Sequence, residues 1–174
     1  KKYVENPVFC TNLYGETMEL YQQGFLTLPE DVITIWADNG YGKMVSRRQG
    51  NHNPRVPALP PAELRDGNHG TYYHVSFYDL QAANHITMLP NSMEFVEKEL
   101  KIAYDCGIKS LWVVNCSNVK PHVYPLDFIG NLWRGNSLTA EEHRRRYMES
   151  YYAYGQRIDG NDLLEPLQDL FEAY

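Results

Sequence analysis

The sequence is short of cysteine, has no long apolar run and carries no excess of positive charge, and each lack removes a class of protein. Its 174 residues include three cysteines, Cys10, Cys106 and Cys116, widely spaced and without a C-x-x-C pair. An odd, scattered set fits neither a disulfide framework nor a thiolate zinc cluster; the three read as small buried hydrophobes. No apolar stretch approaches the roughly 18–20 residues of a membrane span, so no membrane partner is expected. The 16 Lys and Arg against 22 Asp and Glu leave a net charge of −6, whereas a general nucleic-acid binder needs a basic stripe. There is no internal repeat and no signal peptide, and the chain opens on Lys1-Lys2 without an initiator Met, which reads as a piece of something longer.

What is present is aromatic surface and a recurring pattern. Aromatics make up 13% of the chain, with 14 tyrosines; such rings suit sugar and other polar interfaces as well as ordinary cores. Residues 12–24 read as a helix, with Asn12 as cap, Leu13, Met18, Leu20 and Tyr21 as its apolar face, and Gly24 as its stop. Val32 to Ala37 is a strand. Residues 40–70, rich in Pro and Gly, form a long connection with a short helix near 61–65; loops of this length are commonly lids or disordered segments. Gly70 to Asp79 is a second strand, β-branched and aromatic. A helix near 92–106 follows, with Asn91 and Glu94 as a capping box, Val96, Leu100, Ala103 and Tyr104 on one face, and Gly107 at its end. Ser110 to Asn118 is a third strand and tip, after which Pro121 and Pro125 interrupt the chain before an apolar stretch, Leu126 to Trp133. Helices near 139–154, capped by Thr139 and Glu142, and 162–173 complete the chain.

Strands apolar on both faces and joined by helical crossovers predict an α/β fold with parallel strands covered by helices. In such sheets the chemistry gathers beyond the C-terminal strand ends. The first tip presents Asp38, Asn39 and Tyr41, with Gly40 and Gly42; the second His74, Ser76, Tyr78 and Asp79; the third Asn115, Ser117, Asn118 and Lys120. Carboxylates, amides, an imidazole, tyrosines and a lysine are a sugar-reading set. Glycoside hydrolysis needs two carboxyl groups, for which Asp38, Asp79, Glu94, Glu97 and Glu99 are candidates. A structural role competes at each: a turn or cap for Asp38, a hydrogen-bonded core position for His74, a solvated helix face for the glutamates. Lys43, Arg47, Arg48, Arg55 and Arg65 sit in the long connection, where a guanidinium could grip a carboxylate. A metal site built from Asp38, His69 and His74 is disfavoured, because a spacing of five sends the two histidines to opposite strand faces; no metal or cofactor is expected.

The blocks "LPEDVITIWADNGYG", "GNHGTYYHVSFY", "AYDCGIKSLWVVNCSNVKP" and "HRRRYMESYYAYG" resemble the catalytic region of glycoside hydrolase family 115 over about residues 15–155, with a longer loop at 50–66. The resemblance implies part of a TIM-like (β/α)8 barrel, residues 12–135, with a helical segment at 136–174. It implies an inverting α-glucuronidase-type hydrolase that releases glucuronic acid, often 4-O-methylated, from xylan or a related acidic polysaccharide, and it favours an extracellular or periplasmic setting. The missing barrel segment or a partner chain would close the ring. The matching positions are Asp38, Tyr41, Tyr73, His74, Asn115 and Lys120; the family's catalytic glutamate falls near Glu97 and Glu99, and the choice stays open. Asp38 is expected to be one catalytic carboxyl, and Asn39, Tyr41, Tyr73, His74, Asp79, Asn115 and Lys120 to bind the sugar. Two departures stand out: Asn39 and Asn118 occupy positions where the family pattern has Asp. An amide cannot exchange a catalytic proton as a carboxyl does, so a non-catalytic carbohydrate-binding domain is the alternative.

Overall fold

The computed structural model describes residues 5–46, 56–79, 84–86, 89–152 and 164–173. Among the described residues, six strands and five α-helices run in the order β1 (Phe9–Leu13), α1 (Glu16–Gln22), β2 (Val32–Ala37), β3 (His69–His74), β4 (Phe77–Asp79), β5 (Asn84–Ile86), α2 (Met93–Asp105), β6 (Ile108–Asn115), α3 (Val123–Trp133), α4 (Ala140–Tyr151) and α5 (Leu164–Ala173). Four strands form one sheet in the order β1-β2-β3-β6, every neighbouring pair parallel. Strand-then-helix order with parallel pairing makes this an α/β fold, four strands of the eight that a TIM-like ring contains.

Side chains alternate along each strand, so the register assigns faces. Thr71 pairs with Trp112 and Tyr73 with Val114, while Tyr72 pairs with Val113 and His74 with Asn115. Thr71 and Tyr73 are fully buried. Tyr73 shares one apolar cluster with Trp36, Met18 of α1, Val96 and Leu100 of α2 and Phe128 of α3, so its face is the one the helices cover. The face of Tyr72, His74 and Asn115 is the other, which in a barrel is the interior.

Several sequence expectations change here. Residues 12–24 are not one helix: Asn12 lies in β1, paired with Ile35, and the helix begins after Gly15. The second strand ends at His74, and the chain then turns into the antiparallel β4–β5 hairpin. Ser92, not Asn91, caps α2, its side chain accepting from the Phe95 N–H. Asn91 instead donates to the Tyr41 carbonyl at 2.8 Å. Pro125 does not interrupt the chain but sits in the first turn of α3, where its missing N–H breaks no helical bond. The long connection enters the core on both sides of the stretch 47–55, which lies outside the described residues: Met44 and Ala58 are buried, and Gln22 donates to the carbonyls of Pro57 and Leu59.

Helix α4 starts as its sequence predicts. The Thr139 side chain accepts from the Glu142 N–H, and the Glu142 carboxylate accepts from the Thr139 N–H at 2.9 Å. Those bonds hold the Glu142 carboxyl below its ordinary value. Thr139→Ala is expected to lower stability by about 1 kcal/mol, read as a shift in the urea midpoint at unchanged slope.

Candidate active site

The first tip is built around one carboxylate. Asp38 is fully buried. Its Oδ1 accepts from the Gly40 N–H at 2.9 Å and from His74 Nδ1 at 2.5 Å. Its Oδ2 accepts from the Gly42 N–H at 2.8 Å and the His74 N–H at 3.1 Å. Every one of these partners donates. Two follow from chain geometry: Gly40 and Gly42 both have φ above +80°, a conformation costly for residues with a Cβ, and this folds their amides back onto the carboxylate. A Cβ on Gly42 would also stand 2.6 Å from Asn91 Nδ2, and one on Gly40 2.8 Å from the Phe77 ring.

The outcome is an oriented imidazole. With Nδ1 donating to Asp38, the neutral His74 ring carries its free lone pair on Nε2, which has no protein partner among the described residues. The rings of Tyr72 and Phe77 stand edge-on to His74, each at 4.8 Å between centroids. Asn115 Nδ2 donates to the Tyr72 hydroxyl at 2.9 Å. The strand tips behind them are tied by a hydrogen bond between the Ser76 and Ser117 hydroxyls and by the Ser117 N–H donating to Ser76 at 3.0 Å.

Beyond the strand ends lies a cavity of about 840 Å³, whose lining includes His74, Glu94, Lys120, His122 and Arg144. Tyr124, Tyr147 and Phe171 add aromatic surface. Glu94 and Arg144 face each other at 3.4 Å. Burial, opposed by Arg144 and aided by smaller contributions from Glu94 and Tyr147, pushes the Tyr124 hydroxyl up to about 12. Tyr124 therefore stays a neutral hydroxyl throughout the physiological range.

The other expected site residues lie elsewhere. Asn39 spends its side-chain oxygen on the Tyr41 and Lys43 N–H groups, closing the turn. Tyr41 packs edge-on against Phe77. Glu99 is buried on α2, accepting from the Met44 N–H at 2.9 Å and pairing with Lys43 at 3.1 Å. Glu97, two residues earlier, points to another side of the helix and accepts from the Ala140 N–H at 2.9 Å, in the first turn of α4. Neither glutamate is in the lining of the cavity beyond the strand tips; each carboxylate is engaged by the packing, Glu99 by Met44 and Lys43 and Glu97 by Ala140. The side chain of Asp79 lies outside the described residues, as do Arg47, Arg48 and Arg55. His69 has both ring nitrogens engaged, by the Trp36 indole N–H at 3.2 Å and the Leu64 carbonyl at 2.5 Å. Among the described residues no group of three or more His, Cys, Asp or Glu could hold a metal ion.

Tyr73, expected to bind the sugar, packs in the core. It is fully buried under the helices, and its hydroxyl has no partner among the described residues. Burial first, then the carboxylates of Asp38 and Glu99, push its ionisation far above the usual tyrosine range. An orphaned buried hydroxyl is a net cost. Tyr73→Phe is therefore expected to leave stability unchanged or raise it by about 1 kcal/mol; a drop in melting temperature would show that the hydroxyl has a partner.

His122, Tyr124, Arg144 and Tyr147 were missed as pocket residues. His122 lies two residues beyond the third tip, within reach of the same strand-end logic, whereas Arg144 and Tyr147, three apart on α4, carry no such local signal.

A parallel sheet under helices, with a cavity beyond its strand ends, defines a barrel-type α/β protein of the kind that works at its C-terminal face. Comparison narrows the class. The chain matches the model of glycosyl hydrolase family 115 over residues 1–172 and belongs to that family. It is also similar to the solved structure of BtGH115A, described as a family GH115 4-O-methyl-alpha-glucuronidase with specificity for decorated arabinogalactans. The match has a TM-score of 0.71 and 25% identity, and covers 99% of this chain but 22% of that one. Among curated proteins nothing matches.

Proposed function

We propose that the protein acts, within a longer polypeptide, as a glycoside hydrolase that removes a uronic acid side chain from a plant-type acidic polysaccharide such as glucuronoxylan or a decorated arabinogalactan. One observation carries this reading beyond family membership: the 840 Å³ cavity has Lys120 and Arg144 in its lining and lies next to His74, whose ring Asp38 orients. Two cations suit a uronate carboxylate, an imidazole nitrogen suits a sugar hydroxyl, and Tyr147 and Phe171 offer ring faces. Asp38 then serves the site through His74 rather than by touching the substrate.

The mechanism we infer is inverting. One carboxylic acid protonates the glycosidic oxygen as the bond from the anomeric carbon breaks. A carboxylate about 6.5–9.5 Å away takes a proton from the water that attacks the opposite face. Glu94 lines the cavity and is our choice for one member; its counterpart would come from the family's length beyond this chain. An α-linked substrate would release the β-anomer first. The test is to incubate the intact parent protein with glucuronoxylan and glucuronidated arabinogalactan and follow the anomeric proton signals. First appearance of the α-anomer would overturn inversion.

A second reading is binding without turnover. It is favoured by the commitment of Asp38, Glu97 and Glu99 to structural hydrogen bonds. Measurable affinity for a uronic acid oligosaccharide with no release of product would select it.

A further inference from the structure

The lining of the cavity divides by chemistry along the chain. Its ionic and imidazole side chains, His74, Glu94, Lys120, His122 and Arg144, all come before residue 145. After Arg144 the described lining is Tyr147, Tyr152, Leu167, Leu170 and Phe171, which is hydrocarbon and ring. The last three recur at i, i+3 and i+4, one stripe of α5. Tyr147 is 8% exposed, but Tyr152 is 51% and Leu170 61% exposed, so this side of the cavity reaches open solvent. Tyr152 is held firmly: it ends α4, and its N–H donates to the Met148 carbonyl at 2.9 Å. Its ring meets Phe171 at 5.9 Å and 64°, and Tyr147 at 6.3 Å and 48°. Neither neighbour lies flat on it, and with half of the residue exposed a ring face is left for a ligand.

We propose that Tyr152 and the α5 stripe form a subsite for a neutral sugar of the polysaccharide main chain, stacked by its C–H face on the Tyr152 ring. The proposal rests on reading the cavity as the site of a uronic acid side chain. Such a substrate brings two unlike units, a charged uronate and the uncharged sugar that carries it. The uronate belongs with Lys120 and Arg144. A charge placed against α5 would find no counter-ion in the lining there, and burying it unpaired is costly. A pyranose ring turned C–H side down meets no such cost. A tyrosine suits it, because its apolar ring covers the sugar while the hydroxyl can stay in water. Exposure fits the same order: the main chain continues beyond the cavity, so its sugar lies at the open side.

The two products of the reaction test the two units separately, since neither is turned over. In the intact parent protein, Tyr152→Ala should weaken the binding of β-1,4-xylotriose or β-1,3-galactotriose about 5- to 30-fold. Tyr152→Phe keeps the ring and should stay within about 2-fold of wild type. D-Glucuronic acid should bind all three proteins equally. Equal affinity of wild type and Tyr152→Ala for the neutral trisaccharides, or no affinity of wild type for either, overturns the proposal, and the uronate reading survives if glucuronic acid binds. If glucuronic acid does not bind while Tyr152→Ala still loses a trisaccharide, the subsite stands and the uronate reading fails. An equal loss for glucuronic acid and the trisaccharide overturns the proposal, because Tyr152 then shapes the whole cavity.

Discussion

Replacing Asp38 with Asn is expected to leave the protein folded and to lower kcat/KM on a uronic acid substrate by between about 100- and 10,000-fold. The reasoning follows from the donors around the carboxylate. Oδ2 faces two backbone N–H groups, of Gly42 and His74, which cannot change role. Oδ1 faces the Gly40 N–H and the His74 ring. An Asn side chain must point its NH2 at one pair. Pointed at the Oδ2 pair, it opposes two fixed donors. Pointed at the Oδ1 pair, it opposes one, because the imidazole can move its proton to Nε2 and accept instead. The second arrangement wins, at the cost of an orphaned Gly40 N–H, about 1–3 kcal/mol.

The consequence for function is that His74 turns from an acceptor into a donor at Nε2. In the Ser-His-Asp triads the same exchange of Asp for Asn leaves the geometry intact and fixes the wrong tautomer, at about 10⁴-fold in rate. Where the histidine orients rather than reacts, misplacement alone costs about 100-fold. The 15N spectrum of His74 distinguishes the tautomers directly. Full activity in a variant with the switched tautomer would remove His74 from the site. Asp38→Ala serves as the control, since it strips all four donors of their acceptor and should unfold the loop as well.

How much of this was legible in the sequence depends on the range of the interaction. Val32 to Ala37 and the first half of the strand expected over Gly70 to Asp79 announce themselves, because β-branched and aromatic residues in buried parallel strands leave a dense local signal. Strand β1 leaves none: Phe9 to Leu13 is a sheet-edge strand, mostly exposed, with Thr11 and Asn12 in its middle. The i, i+7 and i+8 spacing of Leu13 with Leu20 and Tyr21 draws it into a false helix. The convergence of Asp38 and His74, 36 residues apart, followed from the rule that parallel strand ends meet. The role of Asp38 did not, because nothing local states that its oxygens are saturated. Glu97 and Glu99 show the limit most clearly. Two residues apart, they lie about 200° apart around the helix, and only the packed structure says that one meets α4 and the other the 38–44 loop.

Glu99→Ala is expected to lower stability by about 2–4 kcal/mol, while Glu99→Gln costs no more than about 1 kcal/mol. Most of the loss comes from the Met44 N–H. It is buried and hydrogen-bonded to Oε2, and without an acceptor it bears the full penalty of an orphaned donor, about 1–3 kcal/mol. The ion pair adds little. Lys43 is 53% exposed, so on losing its partner it relaxes into water, and a pair of this kind contributes about 0–1 kcal/mol. Gln retains a carbonyl oxygen for Met44 and forfeits only the charge. The two substitutions therefore separate a structural carboxylate from a catalytic one. A catalytic Glu99 would make Gln inert in turnover at normal stability, and would leave the melting curve of Ala unremarkable. The packing requires the opposite: Gln active and stable, Ala destabilised and less active, because Glu99 and Asn91 hold from α2 and its approach the same loop that Asp38 folds around His74. Urea midpoints and kcat/KM measured on both variants decide between the two.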